Sequence, residues 1–314
     1  MTRRPSPAWY DAQYDARASI ADQAAIRQRW LELSALTRTR TLCLLDVAYG
    51  PHATETLDIF GPSTARGPGA APVLVYIHGG YWRALDKRDQ SFVAEPFVQA
   101  GALVVLPNHA LAPAVSVRHI VMQLVRAVAW VHRHIAGHGG DPGRIVVAGH
   151  SAGGHLAAMM LVCQWPRLSA GLPPHLVQAA LSLSGVFELE PMRHAPFLSA
   201  DLKLSAREAH VLSPAHMPAP SHGRLVAVVG GDESKEFQRQ TALIRQAWGP
   251  RAVPVCETVP GRHHMNVLDA LAEADSRVHG LALALLGLRT RGTSTSPSTG
   301  ASGASLLAAG RSSR

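Results

Sequence analysis

Cysteine and aromatic residues are scarce in this 314-residue chain. Cysteine occurs three times, at Cys43, Cys163 and Cys256, and aromatic residues make up 5% of the sequence. The cysteines stand singly, without a CxxC pair, which argues against a disulfide framework and against a zinc site built on cysteine. Isolated cysteines are typical of a reducing compartment, so we expect a cytoplasmic protein.

Long apolar runs are also missing. No uninterrupted apolar stretch in the sequence is long enough to cross a bilayer. The basic residues near the N-terminus are not followed by the apolar segment that a signal peptide requires. We therefore expect a soluble protein with no membrane partner.

The middle of the chain has no net charge, although the formal charge of +8 at first favours nucleic-acid binding. Residues 1–40 carry seven arginines and four acidic residues, and residues 277–314 carry five arginines and no acidic residue. The remaining part, 41–276, holds 18 basic and 18 acidic residues. Basic ends of this kind are usually solvated, so we expect no nucleic-acid partner.

Short apolar runs typical of β-strands recur from residue 42 onwards, for example VLVYIH, ALVVLPN and RIVVAG. Several stretches between them repeat apolar residues with helical period, as in Val117, Ile120, Val121 and Leu124. Strands that are apolar throughout and alternate with helices are typical of parallel sheets buried on both faces. The sequence therefore predicts an α/β fold, with a mostly parallel central sheet and helices on both faces.

The chain divides into three parts by pattern. Residues 1–40 read as an N-terminal helical segment, and residues 41–288 as one α/β domain whose last helix runs from about Asn266 to Leu288. Residues 289–314 are rich in Ser, Thr and Gly with little to bury, so we expect a disordered tail.

The stretch GHSAG, Gly149 to Gly153, follows an apolar strand and precedes a helix-compatible run. G-x-S-x-G in this context is a sharp strand-to-helix turn that exposes the serine hydroxyl at the edge of the sheet. Ser151 is therefore the candidate nucleophile, with a plain structural turn as the alternative.

A serine hydroxyl needs a base, which in turn needs an acid to orient it, and with this motif both follow the serine in the chain. The acid is expected after a later strand, where Asp232 comes first and Glu233 is the neighbouring alternative. The base is expected after the last strand, where the choice lies between His263 and His264.

The stretch YIHGGYW, Tyr76 to Trp82, follows the third apolar run. Adjacent glycines there allow the main chain to approach a reacting carbonyl, so we expect the oxyanion hole to use Gly79, Gly80 and the amide of Ala152. The bulky Tyr81 and Trp82 predict a narrow pocket for a formyl or acetyl group. Trp82 could equally be an ordinary core residue.

The motifs HGGYW and GHSAGGHLA together resemble those of the arylformamidase (kynurenine formamidase) branch of the α/β-hydrolase fold, near the hormone-sensitive-lipase-like esterases. The resemblance covers roughly residues 10–288. It implies hydrolysis of N-formyl-kynurenine to kynurenine and formate, a step of tryptophan catabolism, without a metal. Aligned on RHHMNVL, it places the base at His264, with His263 where the family has Asn. His109 stands where related sequences tend to carry Tyr, which implies an altered substrate pocket.

The sequence therefore predicts a serine hydrolase with Ser151, Asp232 and His264 as its triad, acting on a small-molecule substrate. The alternatives are a general short-chain carboxylesterase and a non-catalytic ligand-binding member of the fold. We assign no cofactor and no metal, because the densest histidine group, HRHIAGH from His132 to His138, has no carboxylate or thiol near it. The oligomeric state stays open, with a homodimer among the alternatives.

Overall fold

The protein is described here by a computed structural model that covers residues 5–61 and 69–289. The described part contains eight strands that form one sheet. The strands are β1 Cys43–Ala48, β2 Thr56–Phe60, β3 Ala71–Ile77, β4 Leu103–Pro107, β5 Gly140–His150, β6 Val177–Leu183, β7 Leu225–Gly230 and β8 Val255–Val259. The helices are α1 Pro7–Tyr14, α2 Gln23–Arg40, α3 Ala94–Gln99, α4 Val117–His134, α5 Ala152–Leu161, α6 Pro196–Leu202, α7 Ala206–Val211, α8 Lys235–Ala252, α9 Asn266–Ala272 and α10 Arg277–Leu286.

The sheet has the strand order β1-β2-β4-β3-β5-β6-β7-β8. Strand β2 pairs antiparallel with both β1 and β4, and every other neighbouring pair is parallel. The carboxyl ends of the parallel strands therefore lie along one edge of the sheet, where connecting loops can bring side chains together.

Strand β3 shows why the apolar runs are continuous. All seven of its residues are buried, and because side chains alternate across a strand they enter two different cores. Val73, Val75 and Ile77 pack in one apolar cluster, whereas Leu74 and Tyr76 pack in the other. Helices α4, α5 and α8 contribute to the first cluster, and α3, α9 and α10 contribute to the second. The predicted sheet with helices on both faces is confirmed.

The end of the domain differs from the expectation of one last helix. The segment ends as two helices, α9 and α10, separated at residues 273–276. Ser276 caps α10, because its side chain accepts a hydrogen bond from the amide of His279. This cap starts a new helix and is a signal that apolar periodicity alone does not show.

The N-terminal segment consists of α1 and α2, and both pack on the main domain. Tyr14 at the end of α1 lies in the first apolar cluster, and Ile26 and Trp30 of α2 lie in the second. Within the described residues, no helix is both long and apolar enough to cross a membrane. The expected tail falls, from residue 290 onwards, outside the described part.

A buried ion pair anchors the 3₁₀ segment Lys87–Val93, against which α2 packs. Lys87 is only 3% exposed, and its Nζ lies 2.6 Å from Oδ1 of Asp46 and 2.6 Å from Oδ1 of Asp58. The Asp58 side chain is itself only 1% exposed. A buried carboxylate of this kind is tolerated because its counter-ion is fixed beside it.

We expect Lys87→Met to lower the free energy of unfolding by about 3–5 kcal/mol, because the change leaves Asp58 buried without its counter-ion. Arg88→Met is the matched control, since Arg88 is an exposed partner of Asp86, and it should cost less than about 1 kcal/mol. Urea unfolding followed by circular dichroism measures both variants. Equal losses in the two would contradict this role for Lys87.

Candidate active site

Ser151 stands at the sharp turn between β5 and α5. Its backbone has φ 56° and ψ −119°, a strained conformation for a residue with a side chain. The turn is possible because the residues two positions before and two positions after Ser151 are glycines. A Cβ at Gly149 would lie 2.2 Å from the carbonyl oxygen of Gly153, and a Cβ at Gly153 would lie 2.1 Å from that of Ile77. The predicted position of Ser151 between a strand and a helix is the one observed.

His264 lies in the loop between β8 and α9 and is held by a buried glutamate. Its Nδ1 is 2.6 Å from Oε2 of Glu233, a residue that follows β7. The other carboxylate oxygen of Glu233 accepts hydrogen bonds from the amide of Gly230, at 2.7 Å, and from the hydroxyl of Ser184. The Glu233 side chain is fully buried, so these donors replace the water that an ionised carboxylate would otherwise need.

The expectation that Asp232 orients the histidine is wrong in this structure, because Glu233 holds that position. Asp232 is exposed, and its backbone amide donates to the carbonyl of Arg262. The amide of Glu233 donates back to the carbonyl of Gly230 at 3.3 Å, which forms a tight turn after β7. This turn directs Glu233 into the protein and Asp232 towards solvent.

The neighbouring His263 forms hydrogen bonds within its own loop and does not line the cavity. Its Nδ1 accepts hydrogen bonds from the amides of Met265 and Asn266, each at 3.2 Å, and its own amide donates to Oδ1 of Asn266. His263 therefore stabilises the turn that leads into α9. Of the two candidate histidines, the structure brings His264 to the cavity that contains Ser151.

His150, the variable residue of the G-x-S-x-G motif, is a positioning residue that sequence reasoning missed. Its Nε2 donates to the carbonyl oxygen of His264 at 2.7 Å, and the two rings lie 4.8 Å apart. Burial, together with the nearby His264, lowers the pKa of His150 to about 3. His150 is therefore neutral and fixes the backbone of His264 without adding charge to the site.

Gly79, one of the two glycines expected to form the oxyanion hole, packs against the nucleophile turn. A Cβ at Gly79 would lie 2.8 Å from the carbonyl oxygen of His150 and 3.3 Å from Cβ of Ser151. Gly80 has φ +101°, a conformation that side chains rarely adopt. Ala152 is the first residue of α5, where backbone amides have no partner within the helix. Gly79 and Ala152 therefore lie next to Ser151 and Gly80 lines the same cavity, and the oxyanion hole expected from these residues stays a prediction.

His78 braces the glycine loop from behind. Its Nδ1 lies 2.8 Å from the carbonyl oxygen of Gly79, and its Nε2 lies 3.2 Å from Oδ1 of Asn108. Asn108 also donates through Nδ2 to Asp86. Burial lowers the pKa of His78. The loop that carries Gly79 and Gly80 is therefore tied to the segment that follows it.

Of the three predicted pocket residues, Tyr81 alone lines the cavity with Ser151. Trp82 is fully buried in the core, where its ring meets that of His155 edge-on at 5.1 Å. Tyr81 and Trp82 have consecutive left-handed backbones, with φ of 51° and 56°, and this turn separates their side chains. The expectation of a two-aromatic wall is therefore wrong for Trp82.

His109 is also placed away from the cavity. It is buried and stacks on His78 with ring centroids 4.5 Å apart, and its Nδ1 lies 2.7 Å from the carbonyl oxygen of Ala110. Burial lowers the pKa of His109 to about 3, so the ring is neutral. The prediction that His109 shapes the substrate pocket is wrong, because this side chain supports His78 instead.

The cavity at Ser151 is small, about 70 Å³. Pockets for drug-sized ligands usually measure several hundred Å³. Its lining residues come from the glycine loop, the nucleophile turn, the His264 loop and the N-terminal segment: Ala16, Arg17, Arg27, Trp30, Gly80, Tyr81, Arg83, Ala84, Leu85, Gln90, His150, Ser151, His264 and Met265. In residues 5–61 and 69–289, no group of three or more His, Cys, Asp or Glu side chains could hold a metal ion.

Comparison with known proteins finds formamidases and esterases. The family model described as BD-FAE matches residues 57–200. A kynurenine formamidase from Salmo salar is 31% identical over 254 residues, which cover 78% of this chain and 82% of that protein. The esterase LipQ from Mycobacterium tuberculosis is 34% identical over 256 residues, which cover 74% of this chain and 59% of that protein.

Among solved structures, a Silicibacter protein described as a thioesterase has a TM-score of 0.75 at 28% identity. The match covers 88% of this chain and 98% of that one. The predicted α/β-hydrolase fold is confirmed.

We expect Glu233→Gln to lower kcat by about 10³-fold or more, because an amide at this position neither fixes the His264 tautomer nor stabilises its protonated form. Asp232→Asn is the matched control, since it makes the same chemical change on the neighbouring exposed carboxylate, and it should keep near wild-type activity. Steady-state hydrolysis of p-nitrophenyl acetate measures both. A large loss in Asp232→Asn with little loss in Glu233→Gln would restore Asp232 as the acid.

Proposed function

Since the chain belongs to the kynurenine formamidase family and is a hydrolase of formamides or esters, we propose that its substrate is an aryl formamide such as N-formyl-kynurenine, cleaved through an acyl-enzyme on Ser151. One observation carries the mechanism. The 2.6 Å contact between Nδ1 of His264 and Glu233 leaves Nε2 of His264 as the free base, in the cavity that Ser151 also lines.

In the first half of the proposed reaction, Nε2 of His264 removes the hydroxyl proton of Ser151 while Oγ attacks the formyl carbon. The negative charge that develops on the carbonyl oxygen is stabilised by backbone amides at Gly79, Gly80 and Ala152. His264 then gives its proton to the leaving amine as the C–N bond breaks. The product is an aryl amine, and the formyl group stays on Ser151 as an ester.

In the second half, a water molecule gives a proton to His264 and attacks the formyl ester. The new tetrahedral intermediate collapses, His264 returns the proton to Oγ of Ser151, and formic acid leaves and loses its remaining proton to solvent as formate. The Glu233 carboxylate, which contacts Nδ1 of His264, stabilises the transient imidazolium. An acyl group as small as formyl or acetyl suits the small cavity beside Tyr81.

A short-chain carboxylesterase is the second candidate, and the similarity to LipQ favours it. The same residues and steps would serve, with an alcohol instead of an amine as the leaving group. A non-catalytic ligand-binding role is disfavoured, because the nucleophile, base, acid and glycine loop are all present and assembled. We place the reaction in the cytoplasm, which the three free cysteines support.

We expect kcat/KM to be higher for N-formyl-kynurenine than for p-nitrophenyl acetate or butyrate, and Ser151→Ala to lower all three by at least about 10³-fold. Spectrophotometric assays of purified protein measure the three substrates, with Ser151→Ala as the blank. Ester turnover with negligible formamide cleavage would identify an esterase. No Ser151-dependent turnover of any of the three would contradict the proposed function.

We expect Tyr81→Gly to raise the ratio of kcat/KM for p-nitrophenyl hexanoate over acetate by about tenfold, since it removes the ring that limits the acyl group. Glycine also tolerates the positive φ at this position. Tyr81→Phe keeps the ring and should keep the wild-type ratio. An unchanged ratio in a folded Tyr81→Gly variant would show that Tyr81 does not limit acyl length.

A further inference from the structure

The mouth of the catalytic cavity is lined by cationic groups and by no carboxylate. Arg17 lies in the connection between α1 and α2, Arg27 lies on α2, and Arg83 follows the glycine loop. Asp and Glu are absent from the described residues that line the cavity. A cavity bordered by charge of one sign attracts ligands of the opposite sign.

The charge of Arg83 is already compensated, and that of Lys87 is as well. Arg83 pairs with Asp201 and donates to the carbonyl oxygen of Phe197 at 2.6 Å. Lys87 is buried between two aspartates and does not line the cavity. The positive charges of Arg83 and Lys87 are therefore already balanced by carboxylates within the protein.

Arg17 and Arg27 differ from these two residues. Both are exposed, and neither forms an ion pair within residues 5–61 and 69–289. The charge of Arg27 acts on the pKa of Asp89, but the two side chains form no ion pair. The Asp89 carboxylate accepts a hydrogen bond from the amide of Asp86. The guanidinium groups of Arg17 and Arg27 therefore remain available at the mouth.

Gln90 supplies a second and independent observation. Its side chain is fully buried and lines the same cavity. Oε1 of Gln90 accepts a hydrogen bond from the hydroxyl of Tyr76 at 2.8 Å, whereas Nε2 has no partner among the described residues. Buried amide donors are nearly always paired in native structures, and a ligand in the cavity that supplies an acceptor would satisfy this one.

We propose that Arg17, Arg27 and Gln90 form a leaving-group subsite that selects substrates whose leaving group carries a carboxylate. The inference rests on the proposed function, because the scissile carbonyl must lie at Ser151. A cavity of about 70 Å³ does not enclose an aromatic leaving group. The leaving group must therefore extend to the mouth, where the two arginines stand, while Gln90 donates to a polar atom nearer the reacting centre.

The test compares two substrates that differ in charge and little in shape, 4-acetoxybenzoate and 4-acetoxybenzamide. The formamide pair 2-formamidobenzoate and 2-formamidobenzamide repeats the comparison for the other reaction. The measured quantity is the ratio of kcat/KM for the anionic over the neutral member. Comparing this ratio between variants cancels differences in leaving-group chemistry and in the amount of active enzyme.

We expect the ratio to fall roughly tenfold in Arg17→Gln/Arg27→Gln, as the sum of two solvent-exposed charge interactions. Arg17→Lys/Arg27→Lys keeps the charge and should keep most of the ratio. The wild-type ratio should also decrease from 20 mM to 500 mM NaCl, because salt screens exposed charges. Arg251→Gln, an exposed arginine outside the cavity, is the matched control and should leave the ratio unchanged.

Gln90→Glu tests the buried donor. The carboxylate keeps an acceptor for Tyr76 and replaces the amide donor by an oxygen, so the ratio should fall here as it does in Arg17→Gln/Arg27→Gln. An unchanged ratio in the double arginine variant and in Gln90→Glu, with Ser151-dependent turnover intact, would overturn the subsite.

Ligand binding separates failure of the subsite from failure of the proposed function. Calorimetric titration of Ser151→Ala with the anionic and neutral members measures the same selectivity without turnover. If the wild type hydrolyses neither pair but Ser151→Ala prefers the anion, and Arg17→Gln/Arg27→Gln removes that preference, the subsite stands while the proposed reaction fails. Equal binding of both members would overturn the subsite.

Discussion

The buried carboxylate of Glu233 is the interaction on which the rest of the site depends. One side chain joins three elements at the carboxyl edge of the sheet, because its donors are the hydroxyl of Ser184 after β6, the amide of Gly230 at the end of β7 and the ring of His264 after β8. An ionised carboxylate without solvent is stable only when such donors are complete. The hydrogen bonds that orient His264 therefore also hold together the ends of β6, β7 and β8.

The N-terminal segment completes the site instead of merely covering it. Burial raises the pKa of Tyr14 well above its usual value, so the phenol stays protonated and donates to Glu236 at 2.7 Å. The carbonyl of Tyr14 in turn accepts the hydroxyl of Tyr81, the one aromatic residue of the glycine loop that faces the cavity. On α2, Trp30 donates to Asp269 of α9 at 2.6 Å. The position of Tyr81 therefore depends on a segment that precedes the first strand by sequence.

Much of the fold and the position of the nucleophile could be predicted from the sequence, because both depend on local patterns. Continuous apolar runs indicate strands buried on both faces, and G-x-S-x-G between a strand and a helix indicates the turn at Ser151. The choice between Asp232 and Glu233 depends on a single turn after β7, which places one side chain inside and its neighbour outside. Residue order does not reveal that rotation, and the same limit applies to the separation of Tyr81 from Trp82.

The charge pattern shows a different limit of sequence reasoning. Residues 1–40 carry a net positive charge, which predicts solvated side chains. Arg29 and Arg38 of this segment instead bind Asp269 and the carbonyl of Arg88. The net charge also conceals two arginines that the fold brings to the mouth of the cavity. A charge contributes to recognition through its position relative to the reacting atoms and through the absence of a partner, and neither can be read from net charge. Arg17 and Arg27 therefore come together at the mouth only because the fold packs the N-terminal segment beside the glycine loop.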